Sequence, residues 1–196
     1  MNLILASSSP YRKTLLKRLG LPFQVIASEV DESELKQSIS EPQQLAVSLA
    51  QAKAQVVAAG YPDAIVIGAD QLVVIDGEIL DKPESREKNI SQLTTLSGQS
   101  HQLLTAVCLI HQKTERLLLD RTFLRMRPLT SAEIEAYVDL DKPFDCAGGY
   151  QFEAHGVSLF EDVRSTDTTA IEGLPLLLVA KTLREFGLKF PQNQSN

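Results

Sequence analysis

The chain carries only two cysteines in 196 residues, Cys108 and Cys146, and no CxxC pair. That spacing excludes the common cysteine-based zinc and redox motifs, and two cysteines in apolar surroundings read as reduced packing residues. Long apolar runs are also missing: no stretch approaches the roughly 20 uninterrupted residues that a membrane-spanning helix requires. At the N-terminus Asn2 to Ala6 gives way at once to Ser7-Ser8-Ser9-Pro10, without the basic start and long apolar region of a secretory signal. A cytoplasmic location is therefore expected. There is no excess of positive charge. The net charge of −6 argues against a general nucleic-acid binder, which needs a basic face. A small anionic substrate remains compatible, because a few placed cations beside a divalent metal override the mean charge locally. The P-loop, GxSxG and HExxH signatures are absent, and with them the commonest phosphate, acyl-transfer and metalloprotease chemistries.

What is present begins with length enough to bury a core in one domain or two closely joined lobes. Leu3 to Ala6 reads as a buried strand running into a helix capped by Ser9, with Pro10 in its first turn and Gly20 as its stop. Phe23 to Ala27 reads as a second strand, followed by an acidic loop through Glu29, Asp31 and Glu32. A long helix is expected over 42–59, boxed by Ser40 and Gln43, with a stripe of Leu45, Leu49, Ala52 and Val56. Ala64 to Ala69 reads as a central strand ending at Asp70, and Gln71 to Leu80 as a hairpin turning at Asp76-Gly77. A helix over 84–96 and two long strands, 102–110 and 116–127, come next. A helix boxed by Thr130 and Glu133, a strand over 157–160 and a final helix over 174–186 complete the chain. No linker or repeat interrupts it. The expected architecture is α/β with a mixed, elongated sheet flanked by helices, a single domain over 1–196 whose polar tail at 192–196 frays.

Four groups of residues can carry chemistry. Ser7, Ser8, Ser9 and Arg12 lie at a strand-to-helix junction, where backbone N–H groups, hydroxyls and the helix dipole favour an anion that Arg12 can clamp; the same pattern also serves as a simple N-cap. The carboxylates of Glu29, Asp31 and Glu32 can hold a hard cation or form a solvated loop. Asp70, the first charge after a buried strand, can act as general base, bind a metal or cap a turn. Lys53, at the boundary of its helix's apolar stripe, and Lys82, held before Pro83, can reach a cleft or remain in solvent. His101, His111 and His155 show no ligand spacing and read as structural or exposed.

In order along the chain, Leu5-Ala-Ser-Ser-Ser-Pro-Tyr-Arg12, Val30-Asp-Glu32, Ala52-Lys-Ala54, Gly68-Ala-Asp-Gln71, Asp81-Lys-Pro83, Leu96-Ser-Gly98, Cys146-Ala-Gly-Gly-Tyr150 and Gly173-Leu-Pro175 resemble the successive motifs of the Maf proteins. The resemblance covers essentially the whole chain. It implies a fold related to inosine triphosphate pyrophosphatases, with two lobes and a central cleft. It also implies metal-dependent hydrolysis of a nucleoside triphosphate to monophosphate and pyrophosphate. By motif, Asp70 looks like the general base and Glu32 like a metal or water-positioning carboxylate. Glu32 and Asp70 are the expected ligands of Mg²⁺ or Mn²⁺. Lys53 and Lys82 count among the catalytic residues and, with Ser7, Ser9 and Arg12, resemble the phosphate-binding set. A homodimer is the family expectation, with no membrane or nucleic-acid partner.

Where Maf proteins acting on pyrimidine triphosphates read Ser-x-Ser-Pro-Arg-Arg, Gly-Ala-Asp-Thr and Asp-Lys-Ala-Gly-Ala-Tyr, this chain has Tyr11 for the first Arg, Gln71 for the Thr and Asp145-Cys146-Ala-Gly in the third motif. Tyr11, Gln71 and Glu153 are similar to the 7-methyl-GTP pyrophosphatase branch and are its expected specificity residues. A 7-methylguanine ring is cationic, which an aromatic face and a carboxylate both favour. A pyrimidine triphosphatase and a nucleotide-sensing regulator of cell division are the alternative functions.

Overall fold

The computed structural model describes residues 1–191; the tail expected to fray at 192–196 lies outside them. Strands β1 (Leu3–Ala6), β2 (Gln24–Val25), β3 (Ile65–Ile75), β4 (Glu78–Leu80), β5 (Ser100–His111), β6 (Thr114–Met126) and β7 (Phe160–Arg164) form one seven-stranded sheet. Its order is β2-β1-β3-β5-β6-β7, with β4 paired to β3. β1 runs parallel to β2 and β3, while the β3–β4 and β6–β7 pairs are antiparallel. The sheet is therefore mixed, as expected for the α/β class. Helices α1 (Pro10–Lys17), α2 (Ser33–Ser38), α3 (Pro42–Ala58), α4 (Arg86–Leu96) and α5 (Ser131–Asp141) lie between the strands in sequence, and α6 (Leu176–Glu185) follows β7. None of the described helices is long and apolar enough to cross a membrane.

The residues divide into two compact units. The first comprises Met1–Asp70, Thr105–Asp120 and the described residues from Asp167 onward. Its core packs Leu3, Leu5, Ile65 and Ile67 from the strands against Leu15 and Leu16 of α1 and Val179 and Leu183 of α6. α1 starts as its sequence dictates, with Ser9 Oγ accepting from the Arg12 N–H and Pro10 in the first turn. β2 spans two residues rather than the five expected over 23–27. α3 differs in its cap: Glu41, not Ser40, stands at the N-cap and accepts from the Gln44 N–H at 2.6 Å. Its buried face is Leu45, Ala46, Leu49, Ala50, Ala54 and Val57, whereas Val56 is 53% exposed. The face is rotated from the expected stripe because α3 meets the sheet through its alanines, as described below.

The second unit comprises Gln71–Leu104 and Arg121–Thr166. Its core gathers Ile75, Leu93, Leu96, Met126, Ile134, Val138 and Leu159. The β3–β4 hairpin turns at Asp76 (φ 51°) and Gly77 (φ 87°), both in the left-handed region that a two-residue turn between right-twisted strands requires. The capping box of Thr130 and Glu133 opens α5, which continues to Asp141, three residues beyond the expected end near Val138. The strand expected over 157–160 is instead a 3₁₀ turn over His155–Leu159, with β7 beginning at Phe160. Cys108 and Cys146 are both free thiols, as expected.

His101 is 3% exposed, its Nε2 lies 2.8 Å from the Tyr150 hydroxyl, and burial lowers its pKa from 6.5 to about 4. The unfolded chain then binds a proton that the folded chain refuses between those two values, so this residue's stabilising effect is complete above pH 6.5 and is lost as pH falls towards 4. Urea melts should show wild type losing up to about 3 kcal/mol more than His101→Phe between neutral pH and pH about 4. Equal losses in the two proteins would refute this assignment.

Candidate active site

β1 ends at Ala6, so the chain leaves the sheet at the buried Ser7 and enters α1 three residues later, at Pro10. The Ser9 N–H donates to Ser7 Oγ at 3.2 Å, and the Arg12 N–H donates to Ser9 Oγ at 3.4 Å. Both hydroxyls thereby fold the junction into a tight turn, with Ser8 exposed outside it. The Arg12 side chain turns back over this junction. Its Nε donates to the Gly173 carbonyl at 3.0 Å, and its Nη1 reaches Ser7 Oγ at 3.5 Å. Burial lowers the guanidinium's pKa, while the charges of Asp70 and Glu32 act in the opposite sense. Arg12 thus shares its electrostatic environment with both candidate carboxylates.

Asp70 does not end its strand as expected. β3 continues through it to Ile75, and Asp70 is mid-strand with 8% exposure. A carboxylate can stay inside a strand at this burial because it is paired: Lys53 Nζ lies 2.6 Å from its Oδ1. The same ammonium lies 2.7 Å from Glu32 Oε1, and Lys36 Nζ lies 3.0 Å from Glu32 Oε2. Burial pushes the Glu32 carboxyl up, but the hydrogen bonds and charges of Lys53 and then Lys36 prevail and hold it below the usual range.

Gly68 builds this cluster. A Cβ at that position would stand 2.4 Å from the Ala50 carbonyl oxygen and 2.9 Å from the Ala54 Cβ. Only glycine opposite two alanines lets α3 approach β3 so closely. Asp70 follows two residues later on the same face of the strand. Lys53, adjacent to Ala54 on α3, is carried within reach of it, and its side chain keeps only 14% exposure. Glu32 arrives by a different route. It occupies the N-cap position of α2, a short helix that the sequence reading did not contain, yet makes no capping bond there. Asp31 supplies the local contacts instead, accepting from the Ser33 N–H at 2.9 Å and from its hydroxyl at 2.6 Å. Of the three acidic-loop candidates, Glu32 is the one that turns inward to Lys53, while Glu29 and Asp31 are exposed.

The structure therefore brings Ser7, Ser9 and Arg12 together at one junction, and Glu32, Lys53 and Asp70 into one cluster. Tyr11 lies partly buried on α1 beside Arg12. Lys82, Gln71 and Glu153 belong to the second unit. Within it Lys82 and Glu153 are exposed, and Gln71, next to Asp70 in β3, projects to the opposite face of the strand. Lys36 and Gly173 were not among the sequence candidates. The (i, i+4) spacing of Glu32 and Lys36 was the available signal for the first.

Two carboxylates converging on one ammonium suit a hard, oxygen-seeking cation of the Mg²⁺ kind, which is commonly held by one or two carboxylates with substrate phosphate completing its shell. Among the described residues no group of three or more His, Cys, Asp or Glu is arranged to hold a metal by itself.

The Maf-like protein family model matches residues 2–186. The chain belongs to the Maf family. Maf relatives of similar length include the 7-methyl-GTP pyrophosphatase of Xanthomonas axonopodis pv. citri, 45% identical over 189 residues that cover 96% of this chain and 98% of that one. The 7-methyl-GTP pyrophosphatase of Bdellovibrio bacteriovorus is 44% identical over 186 residues, covering 95% and 97%. Among solved structures, the Staphylococcus aureus Ham1 protein superposes with a TM-score of 0.53 at 14% identity, covering 95% of this chain and 100% of that one. It establishes that this Maf chain shares the Ham1 fold.

Proposed function

We propose that the chain hydrolyses 7-methyl-GTP to 7-methyl-GMP and pyrophosphate with the help of Mg²⁺ or Mn²⁺. It is a nucleotide pyrophosphatase of the Maf family and hence a hydrolase; the proposal concerns its substrate and its cation. The observation that carries the catalytic reading is Lys53 Nζ held between Asp70 Oδ1 and Glu32 Oε1, at 2.6 and 2.7 Å. A binding protein has no need of a buried carboxylate held in place by an ammonium that also grips a second carboxylate, which favours catalysis over nucleotide sensing.

In this reading Asp70 accepts the proton of a water as that water attacks the nucleotide. The α–β anhydride bond breaks, and negative charge moves onto the leaving pyrophosphate. Arg12 and the Ser7–Ser9 turn bind phosphate oxygens, and Lys53 fixes the Asp70 carboxylate in place. Lys82 is assigned to the phosphate set by its motif. Glu32 and Asp70 would hold a divalent cation, whose chemistry is to neutralise the polyphosphate and stabilise the charge transferred.

The substrate assignment rests on Tyr11, Gln71 and Glu153, together with the names of the relatives. A cation–π contact of about 0.5–2 kcal/mol at Tyr11 corresponds to a loss of roughly two- to thirtyfold in kcat/KM for 7-methyl-GTP in Tyr11→Ala. GTP, with no formal charge on its base, should suffer less. Glu153→Gln should act in the same direction by removing a carboxylate that complements the cationic ring and accepts from N1 and N2. Measuring kcat/KM for 7-methyl-GTP, GTP and UTP in the three proteins decides this. Equal losses across substrates, or a wild type preferring UTP, would reject methylguanine and favour the pyrimidine alternative, leaving the pyrophosphatase class intact.

A further inference from the structure

Arg12 does not hold its pose alone, and what holds it lies far away in sequence. Its Nε donates to the carbonyl of Gly173, 161 residues on. Gly173, in the turn preceding α6, has φ 107°, a conformation that L side chains rarely adopt. That turn is tied down by two buried side chains. Asp167 Oδ1 accepts from the Thr169 N–H at 3.0 Å and from the Thr169 hydroxyl at 2.6 Å, and its Oδ2 accepts from the Leu177 N–H at 2.7 Å. Thr169 Oγ1 in turn accepts from the Leu176 N–H at 2.8 Å. Asp167 and Thr169, 5% and 7% exposed, thus satisfy the first donors of α6 from outside the helix, where Pro175 at the N-cap offers no side-chain acceptor.

We propose that Asp167 and Thr169 are positioning residues for phosphate binding, acting through the Gly173 carbonyl to fix the guanidinium of Arg12. With Nε committed to Gly173, Nη1 is presented at the Ser7–Ser9 turn, 3.5 Å from Ser7 Oγ. The chain of contacts is Asp167 to Thr169, both to the start of α6, the Gly173 carbonyl to Arg12, and Arg12 to phosphate. A bidentate clamp loses its advantage when it is misplaced by a fraction of an ångström, so slackening the turn should appear as weaker binding of the polyphosphate. This inference rests on the reading of Arg12 as the phosphate clamp.

Thr169→Val keeps the shape of the side chain and removes the oxygen, whereas Thr169→Ser keeps the oxygen and is the conservative control. Binding of inorganic pyrophosphate in the presence of Mg²⁺ would be measured by calorimetry for wild type, both variants, Arg12→Ala and Arg12→Ala/Thr169→Val, with thermal melts of each. Thr169→Val should weaken pyrophosphate binding about tenfold, Thr169→Ser should bind as wild type, and Thr169→Val should cause no further loss in the Arg12→Ala background. The proposal is overturned if Thr169→Val costs the same factor with and without Arg12, or if a folded Thr169→Val binds as wild type. Should Thr169→Val melt too low to assay, Asp167→Asn replaces it in the same cycle, with the same criteria. Arg12→Ala binding pyrophosphate as tightly as wild type would instead overturn the clamp reading itself, and this inference with it.

Discussion

Asp70→Asn should lower kcat by roughly 10²-fold or more, the scale set by loss of a general base, while the protein remains folded. The substitution preserves the volume of a side chain that is 8% exposed in the middle of β3, so the sheet has no steric reason to change. It removes the negative charge opposite Lys53 Nζ, but Lys53 keeps Glu32 Oε1 at 2.7 Å and so is not left buried without a partner. The melting temperature should therefore shift by no more than a few degrees, since a charge–charge contact retained on one side costs on the order of 1 kcal/mol. KM should change less than kcat, because Arg12 and the serine turn are untouched. A folded Asp70→Asn protein with near-normal kcat would move the base to Glu32, the other carboxylate on the same ammonium.

How much of this was legible beforehand depended on whether the cause was local. The β1–α1 junction was read correctly because a serine N-cap followed by proline is decided within four residues. The Asp76-Gly77 turn and the Thr130–Glu133 box were legible for the same reason. Asp70 reads as a strand end, because an aspartate after six apolar residues looks like a boundary, yet β3 runs on through it to Ile75. The pairing that keeps it inside β3 comes from a helix 17 residues earlier. The rotation of α3 was hidden likewise. Leu45, Leu49, Ala52 and Val56 form a sound helical stripe, but the glycine at 68 draws Ala50 and Ala54 to the sheet and leaves Val56 in solvent. α2 buries none of its residues and so has no apolar pattern to find, which concealed Lys36 as well. The run at 157–160 looked like a strand by composition. Its first three residues instead close a 3₁₀ turn that begins at His155, where Gly156 packs so tightly that a Cβ would stand 2.2 Å from the Gln151 carbonyl oxygen.

Removing divalent cations should abolish pyrophosphate release altogether, with Mg²⁺ or Mn²⁺ restoring it. The electrostatics at the cluster supply the reason. The protein has a net charge of −6, and two of its negative groups, Asp70 and Glu32, stand at the cluster where the proposed triphosphate would approach. Lys53 is already shared between those carboxylates and Lys36 is paired to Glu32, so neither ammonium is wholly available to the nucleotide. Arg12, half committed to the Gly173 carbonyl, cannot offset the polyphosphate by itself. At an effective dielectric of about 20, unlike charges 4 Å apart attract by about 4 kcal/mol and like charges repel equally. An uncompensated phosphate beside Asp70 thus meets a barrier of several kcal/mol, corresponding to a rate loss of about 10³-fold or more. Because the carboxylates are already paired with lysines, chelation should leave the melting curve unchanged while activity disappears. Rates would be measured in excess chelator and after titration of each cation back into it, alongside thermal melts. Full activity in chelator would refute the requirement, and loss of activity accompanied by unfolding would make the cation structural and overturn its assignment to Glu32 and Asp70.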